Sequence, residues 1–250
     1  MHTQLVEYLL RLSDNALILG QRVSAWTGKA PILEEDLALA NVALDLLGEA
    51  RLWLSLAGNI EGRGRDEDAL AMRRDAAEFR NLLLVEQPNG NFADTMLRQF
   101  LFDAWHLPLM RELVRSSDAR LAEIAARTAK EAAYHLERSR EWVIRLGDGT
   151  QESHRLAALA LERLWPYTGE MFESDPLERT LASEGIAVNS SGLHLPWRAI
   201  VLDTLAEATL DLPQETWFQS GGRQGRHSEH LSYLLGEMQF LERRHPGLKW

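Results

Sequence analysis

Apolar residues recur at steps of three and four along most of the chain, the spacing that keeps one face of a helix turned toward a core. Alternation with a period of two is missing, so the pattern predicts almost no strand. The predicted helices run over Thr3–Trp26, Leu33–Ala57, a third segment ending near Val85, Asn91–Arg115, a segment capped by Ser117 and ending at Gly147, a segment starting at Thr150 and kinked at Pro166, Pro196–Leu210 and His227–Arg244. The chain is therefore predicted to be all-α.

Helix two is apolar nearly all round, which predicts a central position. After residue 172 the segments become short and rich in proline and glycine, which indicates an elaboration wrapped on a bundle rather than a separate domain. We expect one helical domain over 1–250, with a four-helix core over about 3–171 and a loop-rich C-terminal extension over about 172–250.

Composition excludes several classes of protein. Apolar residues make up 45% and charged residues 26% of the 250 positions, which is typical of a globular chain. The net charge of −10 opposes nucleic acid or an anionic membrane as the main partner. Cysteine is absent, so disulfides, thiolate nucleophiles and cysteine-ligated metals are excluded. The N-terminus lacks a signal pattern and no apolar run reaches transmembrane length, so we expect a cytoplasmic protein.

A histidine and an aspartate fall where the pattern predicts hydrocarbon. His135 lies on the apolar stripe that includes Ala132 and Val143, and Asp103 lies on the stripe that includes Phe100 and Leu107. An ionised carboxylate in such a place is costly unless it is paired or binds a metal. These positions are therefore the first candidates for chemistry.

Further carboxylates follow helical spacing on the neighbouring helices. Asp45 and Glu49 are four residues apart on helix two, and Glu131 precedes His135 by four. Four long helices would bring these side chains together in the middle of the bundle. Carboxylate-bridged di-iron sites, however, use a Glu from one helix and a Glu-x-x-His from its partner, twice over.

The chain departs from that di-iron pattern at several positions. Ala132 stands where the glutamate before His135 is wanted, Leu46 and Glu49 stand where helix two needs Glu-x-x-His, and Ala16 stands where helix one needs a glutamate. Three interpretations remain open. The cluster is a hydrogen-bonded remnant, in which His135 is able to be protonated between carboxylates; or it is a weak metal site; or it is a working redox centre.

Long motifs in order carry a resemblance over essentially the whole chain. They are the stretch from Asn81 to Thr95 (NLLLVEQPNGNFADT), Glu184–Val188 (EGIAV), Glu207–Leu210 (EATL), Gly221–Leu231 (GGRQGRHSEHL) and Glu237–Gln239 (EMQ). With these motifs the chain resembles the structural C subunits of the bacterial phenylacetyl-CoA 1,2-epoxidases.

The resemblance implies a ferritin-like fold and a role in aerobic phenylacetate breakdown. In such a complex the related A subunit holds the di-iron centre and epoxidises the ring with molecular oxygen, while a reductase subunit carrying FAD and an iron–sulfur cluster passes electrons from NADPH. Asp103 and His135 match ligand positions of the A subunit, and Ala16, Leu46, Glu49 and Ala132 do not. The resemblance thus implies a partner of the A subunit with no catalytic residue and no metal or other cofactor of its own; self-association is left open.

A basic glycine-rich loop precedes the last predicted helix. Arg223 and Arg226 lie in Gly221–Arg226, and His227 follows directly. Such a loop is able to cradle phosphate, so these three residues are candidates for a contact to coenzyme A or to a partner protein. A linker or an ordinary helix start explains the same residues without a ligand.

Three hypotheses of function follow. The first is a non-catalytic scaffold that supports the di-iron epoxidase subunit. The second is an autonomous metal-dependent oxidase or oxygenase that uses Asp45, Glu49, Asp103, Glu131 and His135. The third is a helical interaction module outside this pathway.

Overall fold

The structure, a computed structural model, describes residues 2–214 and 217–246. Its α-helices are α1 His2–Ser24, α2 Leu33–Glu61, α3 Glu67–Met72, α4 Phe92–Leu113, α5 Ala119–Gly147, α6 Gln151–Leu164, α7 Pro176–Ser183, α8 His194–Glu207, α9 Glu229–Met238 and α10 Phe240–Arg244. Short 3-10 turns join several of them, and no strand occurs in these two ranges. The all-α prediction is confirmed. None of the described helices is both long and apolar enough to cross a bilayer.

The chain divides into two compact units. The first contains Met1–Pro88 and Gly221–Trp250, and the second contains Asn89–Ser220. The extension predicted after residue 172 is thus shared between both units, because the described residues from Gly221 onward belong to the first. The single domain with a core over 3–171 stays a prediction, and its residues 1, 215–216 and 247–250 lie outside the described part.

In the first unit α1 pairs with α2, and a long irregular segment packs beside them. Leu9, Ile18 and Leu19 of α1 are wholly buried, as is Trp53 of α2. The prediction that helix two is central is wrong for one of its faces, since Leu33, Leu37 and Leu44 are exposed. An apolar composition on all sides does not by itself tell which sides are covered.

The third predicted helix is also corrected. It ends at Met72 instead of near Val85, and apart from a 3-10 turn over Ala76–Glu78 the segment up to α4 is irregular. Backbone N–H groups of this segment donate to side chains of α1 instead of to carbonyls of a helix. Asp14 accepts from the Arg80 N–H at 2.8 Å, and Asn15 accepts from the Leu82 N–H at 2.8 Å. Polar side chains that satisfy backbone donors offer the chain an alternative to a helix.

The second unit is built on α4 and α5, with α6 and α8 packed against them. Asn91 caps α4 and forms a reciprocal pair with Asp94, as its position after Pro88 predicts. Thr150 caps α6 as predicted, whereas α5 is capped by Asp118, one residue after the predicted Ser117. The chain does not kink at Pro166: α6 ends at Leu164, and the proline lies in a 3-10 turn. A proline has no N–H to donate to a helical carbonyl, so a helix near a proline either kinks or ends. Here the helix ends.

The observed C-terminal helices match the predicted ones only in outline. The predicted helix Pro196–Leu210 is α8, shifted toward the N-terminus by two or three residues. The predicted helix His227–Arg244 is two shorter ones, α9 and α10, with a break at Gln239. The buried amide of Gln239 donates to the backbone carbonyls of Ala71 and Arg74 at 3.1 and 3.0 Å. This polar anchor coincides with the point where the helix is interrupted.

Candidate functional site: a buried carboxylate cluster

Asp103 is the centre of a buried polar cluster in the second unit. Its side chain on α4 is fully inaccessible, yet both carboxylate oxygens are engaged. Gln99 Nε2 donates to Oδ1 at 2.8 Å, and Ser139 Oγ donates to Oδ2 at 2.8 Å. Two neutral donors on two helices therefore engage both oxygens of this carboxylate.

The electrostatics of Asp103 follow from this burial. Desolvation raises the pKa of the Asp103 carboxyl above its ordinary value, while the nearby His135, the two hydrogen bonds and His106 oppose the rise without cancelling it. Both histidines are themselves 3% exposed, so they act on the carboxyl from within the same low-dielectric core. The protonated form of Asp103 is therefore favoured more strongly than the protonated form of an exposed aspartate.

His135 lies on the predicted inner face of α5. The buried positions of this helix repeat at helical spacing, and they are Leu121, Ala125, Thr128, Ala132, His135, Arg138, Ser139, Val143 and Gly147. This agrees with the predicted stripe. Glu131 behaves differently, because it is only half-buried and forms an ion pair with Arg127 of the same helix at 3.4 Å. Glu131 is thereby directed to a surface partner.

The candidates on α2 belong to the first unit. Glu49 is 4% exposed and accepts a hydrogen bond from Trp53 Nε1 at 3.0 Å, and Asp45 is half-buried. Asp103, Glu131 and His135 all lie in the second unit. The predicted meeting of the two groups at the centre of a bundle stays a prediction.

The positions read as lost ligands hold buried hydrocarbon. Ala16, Leu46 and Ala132 are each 1% exposed. Across the two described ranges, no group of three or more His, Asp or Glu side chains is placed to hold a metal ion. Within each unit the donor set therefore does not fit a carboxylate-bridged pair of irons, which needs several oxygen and nitrogen ligands around each ion.

The sequence pattern alone did not single out the two residues that complete the cluster. Gln99 precedes Asp103 by four residues and Ser139 follows His135 by four, so each lies one helical turn away on the same face. Searching the apolar stripes for uncharged polar residues at this spacing would have found both. A search for metal ligands passes over them because amides and hydroxyls are poor ligands for iron.

The glycine-rich loop lies in the first unit and packs tightly. A Cβ on Gly222 would lie 2.1 Å from the Asn81 carbonyl oxygen, so this glycine allows a close approach of two backbones. Arg223 is 6% exposed, and the His227 side chain is 4% exposed. Only Arg226 of the three candidates is exposed. A contact from this loop to coenzyme A stays a prediction, and Arg226 is the residue best placed to make it.

Comparison with known proteins supplies the family. A sequence profile of the family described as "Phenylacetic acid catabolic protein" matches residues 1–250. This chain belongs to the phenylacetic acid catabolic protein family. Members of this family are ferritin-like, so the predicted fold class is confirmed.

A curated member of the phenylacetic acid catabolic family is close in sequence. The chain is 52% identical over 247 residues to the C subunit of the 1,2-phenylacetyl-CoA epoxidase of Escherichia coli (strain K12), and the match covers 99% of both chains. The resemblance inferred from the motifs is thereby confirmed.

Proposed function

We propose that this chain is the C subunit of a phenylacetyl-CoA epoxidase and acts in the breakdown of phenylacetate. The observation that carries the proposal is the 52% identity over 99% of both chains to a protein of that name. A match of this extent includes the helices of both units and the loops between them. The proposal therefore applies to the chain as a whole and not to one segment of it.

Within such a complex we assign the chain a non-catalytic, supporting role. The buried Asp103 accepts from Gln99 and Ser139, so its lone pairs already have neutral donors. Ala16, Leu46 and Ala132 fill ligand positions with buried hydrocarbon. These residues favour a chain that stabilises and positions a related di-iron subunit over one that binds oxygen-activating iron itself.

The proposed partner is the catalytic A subunit, and electrons reach that subunit from the NADPH-dependent reductase. The test is to co-express this chain with the catalytic subunit, purify the complex by a tag on one chain, and follow epoxidation of phenylacetyl-CoA with the reductase and NADPH. We expect co-purification and a catalytic subunit that is unstable or much less active alone. No association, with equal activity of the catalytic subunit alone, would refute the proposal.

Metal analysis separates this role from the autonomous enzyme. We expect the isolated chain to be well folded and to carry far less than one iron per molecule after expression in iron-rich medium. Two irons per chain that are lost in His135→Ala would instead support an autonomous metalloenzyme.

A further inference from the structure

One face of α2 is apolar and open to solvent. Leu33, Leu37 and Leu44 are 71%, 58% and 66% exposed, although most long apolar side chains of this unit are buried. They follow one another with Ala40 and Gly48 at steps of four, three, four and four residues. These five residues, which we name the outer face of α2, therefore form one straight stripe along the helix. Apolar side chains at this spacing are typical of a helix that packs along another helix.

Gly48 gives an independent indication of a missing neighbour. Glycine in the middle of a helix is less stable than alanine, so its presence needs a reason. Two other glycines of these helices have one: a Cβ on Gly20 would lie 3.2 Å from Leu47, and a Cβ on Gly58 would lie 2.3 Å from the Arg65 carbonyl oxygen. A Cβ on Gly48 would have no atom within 4 Å. Nothing in the described part of the chain explains this glycine, whereas the close approach of a second helix would.

The charges beside the outer face indicate the kind of partner. Glu34 and Asp36 lie on either side of the leucine stripe in the first turn of α2. Glu34 is exposed, whereas Asp36 is half-buried and accepts hydrogen bonds from the backbone N–H groups of Gly28 and Ala30 at 2.7 and 3.4 Å. The chain as a whole has a net charge of −10, so two copies repel each other electrostatically. A helix whose apolar seam is flanked by Lys or Arg complements this surface better than a second copy does.

We propose that the outer face of α2 is the docking surface for the catalytic subunit, which lays one helix with basic flanks along Leu33, Leu37 and Leu44. This inference rests on the proposed function, because it takes the partner from there. Apolar side chains in register supply the buried area, and Ala40 and Gly48 let the two backbones approach closely. The exposed carboxylate of Glu34 orients the incoming helix.

Charge substitution on the face tests the proposal. Leu37→Glu and Leu44→Glu place a carboxylate on solvent-exposed positions, so the isolated chain stays folded. The matched control is Leu195→Glu, since Leu195 is 77% exposed and belongs to α8 of the second unit. We expect each α2 variant to weaken binding of the purified catalytic subunit at least about 30-fold, the range of an interface hot spot, and the control to bind as the wild type does.

The result separates the two proposals. If the wild-type chain does not bind the catalytic subunit, the proposed function fails. If it binds and both α2 variants bind equally well, only the docking surface is wrong. Circular dichroism and the melting temperature of each variant establish that a loss of binding does not come from unfolding.

Gly48→Ala gives a second test in which stability and binding change in opposite directions. The added methyl improves helix propensity and meets no atom of the described chain, so we expect the melting temperature of the isolated chain to rise. The same methyl obstructs the partner helix, so we expect binding to weaken about tenfold or more. Unchanged binding would overturn the close approach at Gly48.

Sedimentation of the isolated chain tests the alternative occupant, a second copy. If the isolated chain forms a dimer that Leu44→Glu dissociates, the assignment to the catalytic subunit is overturned in favour of a second copy.

Discussion

Both ring nitrogens of His227 face oxygen acceptors in the interior of the first unit. Nδ1 lies 2.8 Å from Glu86 Oε2, and Nε2 lies 3.0 Å from the Phe79 carbonyl oxygen. The Phe79 carbonyl can only accept, so Nε2 carries a hydrogen, and a charged ring donates from both nitrogens. In that state the contact with Glu86 is a buried ion pair. The pair joins the loop after Gly221 to the irregular segment before α4 within one unit.

We therefore predict that His227→Ala lowers the free energy of unfolding by about 3–5 kcal/mol, the usual cost of removing one partner from a buried pair. The Glu86 side chain, which has no exposed surface, would keep the hydrogen bonds from the Asn81 amide and the Ser228 N–H but lose the bond from the ring. Urea titration measures the change. The control is His230→Ala, because His230 contributes its backbone carbonyl to Arg22 and that carbonyl is retained. Equal stability of the two variants would contradict the ion pair.

The buried carboxyl of Asp103 predicts a dependence of stability on pH. Because burial raises its folded pKa above the ordinary 3.8, the folded state holds the proton more tightly than the unfolded chain. This contribution to stability is fully present below the ordinary pKa and is lost as the pH rises through the folded pKa. Asparagine has no proton to lose, and Ser139 is able to turn its hydroxyl to accept from the new amide.

Wild type and Asp103→Asn are compared by urea titration from about pH 3, below the ordinary pKa of an aspartate, up to about pH 7. We expect the stability of the wild type relative to Asp103→Asn to be greatest at the acid end and to decline toward neutral pH. The variant is expected to be as stable as the wild type, or more so, at neutral pH. Parallel curves for the two proteins over the whole range would show that the carboxyl titrates like an exposed one.

His135→Ala is predicted to change stability and not chemistry. Removing the ring takes a favourable charge interaction from the Asp103 carboxyl and leaves a cavity in the core of the second unit. A loss of about 3–5 kcal/mol is the expected range for a broken buried pair. Tyr134→Ala, at a neighbouring position that is 49% exposed, serves as the control and should change stability by less than about 1 kcal/mol.

The same His135→Ala chain is assayed in the complex with the catalytic subunit. Below its melting temperature we expect epoxidation per assembled complex to match that of the wild type. An unchanged melting temperature together with lost epoxidation would reverse the assignment and make His135 part of the chemistry.

Gly222→Ala is predicted to destabilise the chain by about 1–3 kcal/mol, the range found when a packed site is overfilled. Its Cβ would lie 2.1 Å from the Asn81 carbonyl oxygen, which is backbone and has no alternative rotamer. Gly192→Ala is the matched control, because a Cβ there meets nothing within 4 Å. Thermal unfolding of the two variants measures the contrast. If both variants have the melting temperature of the wild type, the loop is packed less tightly than the structure describes.

Much of the local structure follows from the sequence because its causes are local. The caps at Asn91 and Thr150 and the stop at Gly147 rest on short-range hydrogen bonds, so they can be read from a few neighbouring residues. The irregular segment before α4 could not be predicted in this way. Its acceptors are Asp14 and Asn15, more than sixty residues earlier in the chain.

By itself, the sequence determined that the chain is helical, that Asp103 and His135 lie on inner faces, and that the di-iron ligand pattern is interrupted at Ala16, Leu46 and Ala132. Helical periodicity places a residue on a face, and these statements need nothing more. Only the tertiary structure decided which donors satisfy Asp103, that His227 pairs with Glu86, and that one face of α2 is left open. Each of these depends on residues distant in sequence meeting, or failing to meet, in space, and periodicity carries no information about that.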